Sequence, residues 1–186
     1  CLVGSPKGDF YYLHLSNPDG QAWSSDALLD RIVVQRSKRS GKRWTKGAGM
    51  GLNGNKDQDK EWMAASVDGS TLLTCWTQFD LYGSPVVTDQ SNILCSTSNR
   101  RAKKWSEPVR INAASGDCAD SDMTVEGAVP DIVVDGTMYV AWAQADTIWM
   151  DRSGDGGLTW LEKDLRVTEI QGGWDQEIRG VGRANG

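Results

Sequence analysis

The chain has 186 residues, of which 39% are hydrophobic, with 21 glycines, nine tryptophans and a formal net charge of −5. It contains no apolar run long enough to cross a membrane as a helix, and its acidic balance argues against a nucleic-acid-binding surface. One histidine and four cysteines without a C-x-x-C motif give no support for a zinc site or a Ser-His-Asp triad. The composition is typical of a soluble β-protein.

Short β-rich segments follow one another along the chain, separated by clusters of Gly, Asn, Asp or Pro. They are residues 10–15, 31–36, 68–76, 91–95, 135–142 and 147–150. Their β-branched and aromatic content predicts strands, and no window shows the 3.6-residue periodicity of a capped helix. We therefore predict an all-β fold.

Residues 153–160 read S-x-D-x-G-x-T-W, the motif known as an Asp-box. Its defined positions are Ser153, Asp155, Gly157, Thr159 and Trp160. The Asp155 carboxylate can accept hydrogen bonds from backbone N–H groups of its own turn, and Gly157 permits a positive φ. Trp160 supplies a large apolar ring to bury on the returning strand. The motif predicts a tight turn between two antiparallel strands.

Two degraded copies of this motif, at residues 37–44 and 98–105, indicate an internal repeat. The three closing tryptophans are 61 and 55 residues apart. We predict β-propeller blades of four antiparallel strands at roughly 8–52, 53–115 and 116–170, with 171–186 leading into a further blade. Propellers close with four to eight blades. The missing blades therefore belong to the rest of a longer chain, which we favour, or to a second copy.

The alternating direction of the strands predicts which loops share an end of the blades. The Asp-box joins the third and fourth strands, so the second-to-third loops and the inter-blade connections emerge at the opposite end. Those segments are 17–30, 53–61, 79–90, 116–126 and 172–183. Asp57, Asp59, Asp117 and Arg179 are our candidates there for binding a substrate, since carboxylates gathered near a propeller axis suit a sugar site. Each of these residues could equally be a solvated loop residue.

Residues 53–61 place an oxygen-bearing side chain at every second position, a spacing that can wrap Ca²⁺. The segment departs from an EF-hand, because Gln58 replaces the turn glycine and Ala64 stands where the bidentate Glu belongs. We favour a solvated loop and expect no cofactor, with Ca²⁺ as the alternative. Cys75 and Cys95 fall on neighbouring strands, but the inferred register does not put them opposite each other, so a disulfide and two buried thiols both remain open.

The Asp-box, the repeat length and segments 57–62 and 126–130 together resemble the sialidase superfamily, especially bacterial exo-sialidases with six-bladed propellers. The resemblance implies cleavage of a terminal sialic acid or related sugar from a glycan, with retention, by a secreted, periplasmic or cell-surface protein. It implies an Asp acid/base, a Tyr nucleophile activated by a Glu, and three arginines that clamp the sugar carboxylate. The matching positions are Asp26 for the acid/base and Glu126 for the activating glutamate.

The clamp arginines are the main departure from the sialidase pattern. The segment that begins at Arg31 is only weakly similar to the one that carries the first clamp arginine, and it lies in a different strand. Trp142 and its neighbours occupy the stretch expected to hold the second clamp arginine. The third arginine and the tyrosine would follow Gly186, so we expect this chain alone to be inactive. Two alternatives remain: a non-catalytic propeller that binds a glycan or protein at the same face, and a scaffold within a larger assembly.

Overall fold

The computed structural model of the chain describes residues 1–17, 28–38, 41–52, 54–170, 176–178 and 182–184, the last two segments as backbone only. Every regular element in the described segments is a β-strand. No helix long and apolar enough to cross a membrane is found among these residues. The prediction of an all-β chain is confirmed.

Three sheets of four strands each follow one another along the chain. The first contains β1 (Leu2–Gly4), β2 (Asp9–Ser16), β3 (Arg31–Lys38) and β4 (Ala48–Met50). The second contains β5 (Asp57–Ala65), β6 (Thr71–Phe79), β7 (Ser91–Asn99) and β8 (Val109–Arg110). The third contains β9 (Glu126–Ile132), β10 (Met138–Gln144), β11 (Thr147–Ser153) and β12 (Leu165–Glu169). A separate hairpin follows, formed by β13 (Gln176–Ile178) and β14 (Gly182–Ala184).

Within each sheet, every strand pairs antiparallel with the next strand along the chain. This up-and-down order in repeated four-stranded sheets is the arrangement of propeller blades. The structure thus confirms the predicted fold class, with three sheets that correspond to consecutive blades of a partial propeller.

The second sheet lies between the other two and buries both of its faces. Leu73 and Cys75 of β6 belong to a core shared with the third sheet, which includes Trp142. Leu72 and Trp76, from the same strand, belong to the core shared with the first sheet. Because alternate side chains of a strand point to opposite faces, β6 needs apolar residues at successive positions. This explains the adjacent apolar pairs Leu72–Leu73 and Cys75–Trp76 in the strand.

The register of β6 and β7 corrects one sequence-based inference. Cys75 pairs directly with Cys95, and the two form a disulfide. The two strands pair without interruption, from Thr71 opposite Asn99 to Phe79 opposite Ser91. The register inferred from the sequence was wrong because the long loop that follows β6 hides where pairing stops. In the structure, the regular ladder continues to the last residue of β6.

Candidate functional site

The loop-rich end of the sheets is assembled by close backbone contacts between two long connections. Ser84 of the β6–β7 loop bridges to Cys118, and Ser91, the first residue of β7, bridges to Gly116; both partners lie in the β8–β9 connection. The Ser91 hydroxyl also accepts a hydrogen bond of 3.0 Å from the Val125 amide. A Cβ atom at Gly116 would lie 2.4 Å from that amide nitrogen, so the approach requires glycine. These contacts fix the backbone that carries the acidic residues.

Asp57 ties the first strand of the second sheet to two other connections. One carboxylate oxygen accepts a hydrogen bond of 3.3 Å from the Leu29 amide, and the other accepts one of 3.2 Å from the Tyr82 amide. Asp57 therefore lies at the loop-rich end, as the alternation of strand direction requires. Both of its oxygens are engaged by backbone, so its role in this structure is to position loops.

A distortion in β5 brings Asp59 and Lys60 into the site. The β5–β6 pairing shifts register between Asp59 and Trp62, and Lys60 adopts a φ of 49°. A positive φ is uncommon for a residue with a side chain and requires support from its surroundings. One source of support is the ion pair between the Lys60 ammonium and a carboxylate oxygen of Glu126. The bulge thus redirects Lys60 towards the third sheet.

Among the described residues, Glu126 is the most deeply buried carboxylate at this end, with 1% of its surface exposed. Its Oε2 atom accepts the Lys60 hydrogen bond, whereas its buried Oε1 atom has no hydrogen-bond partner among the described residues. Burial raises the pKa of Glu126, and the hydrogen bond and charge of Lys60 oppose that rise only in part. Glu126 is therefore a carboxylate with one oxygen that can still accept a proton or a hydrogen bond.

Tyr82 and Asp120 complete the group of polar residues around Glu126. The Tyr82 hydroxyl donates a hydrogen bond of 3.1 Å to Asp120. Burial and this bond, with further contributions from the charges of Glu126 and Asp59, raise the pKa of Tyr82 to about 12. Burial likewise raises the pKa of Asp59, and the nearby charge of Asp120 adds to the effect. We call Asp59, Lys60, Tyr82, Asp120 and Glu126 the acidic cluster.

Sequence reasoning found only part of this cluster. Asp59 and Glu126 were predicted, but Lys60, Tyr82 and Asp120 were not. The segments that carry the missed residues had been assigned to the correct end, so their location was available from the sequence. The sequence did not predict that Tyr82 and Asp120 are hydrogen-bonded to each other. They are 38 residues apart and meet only through the contacts between the two loops.

Asp117 stabilises its own loop rather than facing the cluster with a free carboxylate. It accepts hydrogen bonds from the hydroxyls of Thr124, at 2.6 Å, and Ser121, at 2.7 Å, and from the Ala119 amide. Burial alone would raise the pKa of Asp117, but these hydrogen bonds lower it below the usual value. The remaining two predicted site residues, Asp26 and Arg179, lie outside the described residues.

The segment considered for Ca²⁺ is largely strand. Residues 57–61 belong to β5, and both oxygens of Asp57 accept backbone hydrogen bonds. Within the described part of the chain, no three His, Cys, Asp or Glu side chains converge in a way that could hold a metal ion. Residues 57–61 are therefore part of a strand, whereas the sequence had favoured a solvated loop.

The turn at residues 153–160 lies at the other end of the sheets. Asp155 Oδ1 accepts hydrogen bonds from the Leu158 and Thr159 amides, and its Oδ2 accepts one of 2.6 Å from the Thr159 hydroxyl. The Ser153 hydroxyl accepts a hydrogen bond from the Gly157 amide, and Gly157 has a φ of 88°. Trp160 is partly buried against the core of the second and third sheets. The hydrogen bonds expected of Asp155 are therefore present.

No protein-family profile and no curated protein matches the sequence. Solved structures do match the fold. The Hadza microbial sialidase Hz136 superposes with a TM-score of 0.59 at 18% identity, over 86% of this chain and 35% of that one. A mutant Trypanosoma rangeli sialidase displaying trans-sialidase activity superposes with a TM-score of 0.55 at 15% identity, over 88% of this chain and 30% of that one. The chain has a sialidase-like propeller fold.

An ulvan lyase of polysaccharide lyase family 25 also matches this sialidase-like fold. Its TM-score is 0.54 at 12% identity, over 98% of this chain and 44% of the lyase. The chain thus spans less than half the length of the structures it matches. At these identities the likeness establishes the propeller fold, while the chemistry must be argued from the residues.

Proposed function

We propose that this chain is part of a propeller glycoside hydrolase of the exo-sialidase type, which removes a terminal sialic acid or a related sugar from a glycan. The observation that carries the proposal is Glu126, a buried carboxylate at the loop-rich end that is paired with Lys60 on one oxygen. The other oxygen has no partner in the described part of the chain. A buried carboxylate with an available oxygen is suited to accept a proton in the transition state.

In this proposal, Glu126 accepts the phenolic proton of a tyrosine supplied by the rest of the propeller as that tyrosine attacks the sugar. Asp26 donates a proton to the departing glycosidic oxygen. Lys60 favours the ionised form of Glu126, which burial alone would disfavour. Tyr82 is not assigned the nucleophilic role, because its hydroxyl donates to Asp120 and its pKa is raised to about 12.

The proposal revises the roles of the other candidates. Asp59 remains a candidate for contacting the sugar, because it lies beside Glu126 and Asp120 and its pKa is raised by burial. Asp57 and Asp117 act on the substrate only indirectly, by holding the loops that their hydrogen bonds join. Arg179 stays a candidate for binding the substrate.

A second candidate function is binding of a glycan without catalysis. The observation that favours it concerns Arg31, which donates hydrogen bonds of 2.6 and 2.7 Å to the carboxylate of its neighbour Asp30. The stretch expected to hold the second clamp arginine contains Trp142, Ala143 and Gln144 instead. A site without clamp arginines would hold a neutral or weakly anionic glycan instead of orienting a sialic acid for cleavage.

We also propose that the protein is secreted, periplasmic or exposed at the cell surface. The Cys75–Cys95 disulfide supports this, since disulfides persist mainly in oxidising compartments. We propose that the missing blades come from the rest of a longer chain, with a second copy as the alternative. This chain covers only 35% and 30% of the two matched sialidases, which supports the proposal that the remaining blades belong to a longer chain.

The test uses the complete propeller and an aryl sialoside whose hydrolysis releases a coloured or fluorescent phenol. Glu126→Gln keeps the shape of the side chain but cannot accept a proton, and we expect kcat/KM to fall by about 100-fold or more. Asp26→Asn should abolish hydrolysis as well. The control is Glu162→Gln, an exposed residue in the turn region at the opposite end, which should leave kcat/KM unchanged.

Two outcomes of this experiment would contradict the hydrolase proposal. One is full activity of folded Glu126→Gln, which would remove Glu126 from the mechanism. The other is a wild-type protein that binds a neutral or weakly anionic glycan but does not hydrolyse the aryl sialoside, which would support the binding function. Thermal melting of each variant shows whether a loss of activity reflects unfolding.

A further inference from the structure

A cavity of about 630 Å³ lies between the first two sheets, at the end opposite the acidic cluster. Its lining consists of turn and strand-end residues: Lys7, Asp9, Arg36, Lys38, Ser70, Asn99, Arg100 and Arg101. Five of these side chains are cationic and one is a carboxylate. The chain as a whole carries a net charge of −5, so this concentration of positive charge departs from the rest of the molecule.

One carboxylate organises two of the guanidiniums in this cavity. Arg36 donates a hydrogen bond of 2.9 Å and Arg100 one of 2.6 Å, both to Oδ2 of Asp9. Asp9 is 1% exposed. Burial alone would raise the pKa of Asp9, but the hydrogen bonds and charges of Arg100 and Arg36 lower it. One buried negative charge therefore holds two positive ones, and the group keeps a net positive charge.

The two guanidiniums are held in position but keep donors that Asp9 does not use. The Arg36 side chain is only 10% exposed, and its buried Nε has no hydrogen-bond partner in the described segments. The backbone of Arg100 is fixed at both ends, since its amide donates to Ser70 and its carbonyl accepts the Tyr11 hydroxyl at 2.9 Å. A cationic site fixed before a ligand arrives loses little conformational entropy on binding.

We propose that this cavity binds a sulfate or phosphate group carried by a sugar or present as a free ion. Guanidinium groups bind such anions through paired hydrogen bonds, and the exposed side chains of Lys7, Lys38 and Arg101 add positive charge at the rim. A tetrahedral oxyanion ester offers three terminal oxygens to donors that approach from several directions, whereas a carboxylate offers two. This site is separate from the acidic cluster and does not depend on the proposed hydrolase activity.

The test measures binding to the complete protein by titration calorimetry. The probes are inorganic sulfate, inorganic phosphate, glucosamine 6-sulfate and glucose 6-phosphate, with glucuronate as the carboxylate comparison. We expect saturable binding of at least one sulfate or phosphate probe, and weaker binding of glucuronate. A preference for the sulfated sugar, the phosphorylated sugar or the free ions identifies the source of the anion.

The matched variants are Lys7→Ala/Arg101→Ala in the lining and Lys103→Ala/Lys104→Ala as the control. Both pairs remove two exposed cations, and Lys103 and Lys104 lie in the same turn as Arg101 without lining the cavity. The lining pair should weaken binding about 3- to 10-fold, while the control pair stays within about twofold of wild type. Because exposed residues are changed, neither pair should unfold the protein.

Three results would overturn this proposal: no saturable binding of any sulfate or phosphate probe, equal weakening by both pairs, or tighter binding of glucuronate than of every sulfate and phosphate probe. Glu126→Gln provides the remaining comparison. It should leave affinity for the oxyanion unchanged, so that a failure of the hydrolase proposal is distinguished from a failure of this one.

Discussion

Two kinds of carboxylate in this chain, represented by Asp155 in the 153–160 turn and by Glu126 and Asp59 at the loop-rich end, behave in opposite ways. Asp155 is exposed, and hydrogen bonds from the Thr159 hydroxyl and amide, with others in the turn, lower its pKa to about 2. Glu126 and Asp59 are largely enclosed, and burial raises the pKa of each. A carboxylate that stabilises a turn is therefore distinguished from one available for proton transfer by its surroundings rather than by its residue type.

Asp155 should contribute stability that depends on acid pH. Its folded pKa of about 2 is below the ordinary value of 3.8, so its contribution is complete above the ordinary value and is lost as the pH falls from about 4 towards 2. Asp155→Asn should lower the unfolding temperature at pH 7 by a few degrees and flatten its dependence on pH in that window. Thermal melting at a series of pH values measures this. An unchanged acid dependence, identical to that of the exposed control Glu107→Gln, would refute it.

Lys60 should stabilise the fold mainly because it compensates the buried charge of Glu126. Lys60→Met leaves that carboxylate unpaired, and we expect a loss of about 2 kcal/mol in the free energy of unfolding at pH 7.5. The folded pKa of Glu126 is already raised by burial and would rise further. The loss of stability in Lys60→Met is therefore complete above the folded pKa of Glu126 in the variant. It shrinks as the pH falls through that pKa and the carboxylate is neutralised.

Urea unfolding of Lys60→Met at pH 7.5 and pH 5 measures this deficit. The exposed residue Lys104 gives a control variant, Lys104→Met, that changes the same side chain without breaking a buried pair. A deficit that is equal at the two pH values would show that Lys60 acts through packing or backbone conformation instead of through the charge of Glu126.

Among the elements, the β6–β7 hairpin has the strongest constraint. Its strands pair over nine residues, and the Cys75–Cys95 disulfide closes a segment with a sequence separation of 20. In the chain-entropy account, a cross-link of that span stabilises the folded state by about 3 kcal/mol. Cys75→Ser/Cys95→Ser should therefore lower the free energy of unfolding by about that amount, as measured by urea denaturation. Reducing the disulfide of the wild-type protein should lower the free energy of unfolding by the same amount. A larger loss in the double variant would show that the serines also disturb the packing.

The sequence predicted the strands better than it predicted their irregularities. β6 and β10 were recognisable because each combines a preceding Asp-Gly turn with β-rich apolar residues, and β-propensity reports on local packing. The bulge at Lys60 depends on a contact with Glu126, which is 66 residues away. The pairing of Cys75 with Cys95 was missed for the same reason. The register of β6 and β7 is decided by contacts between residues on both sides of a long loop.

On the scale of the whole molecule, three sheets stack in sequence and the middle one is covered on both faces. This stacking separates two ends with different chemistry. Asp59 and Glu126, two carboxylates with raised pKa values, lie where the long loops meet, and five cationic side chains gather at the turns of the first two sheets. The separation of ends could be predicted from strand direction alone, whereas the cationic cavity could not, because residues from distant segments such as Asp9 and Arg100 form it.

The central claim is that the loop-rich end binds the sugar and the 153–160 turn does not. Hydrogen–deuterium exchange of the complete protein, with and without saturating sialic acid, tests this most directly. We expect slower exchange on binding in residues 57–61, 80–90 and 116–126, and no change in residues 153–160. Protection confined to the 153–160 turn, or no protection of the three loop segments when the sugar is bound, would contradict the account.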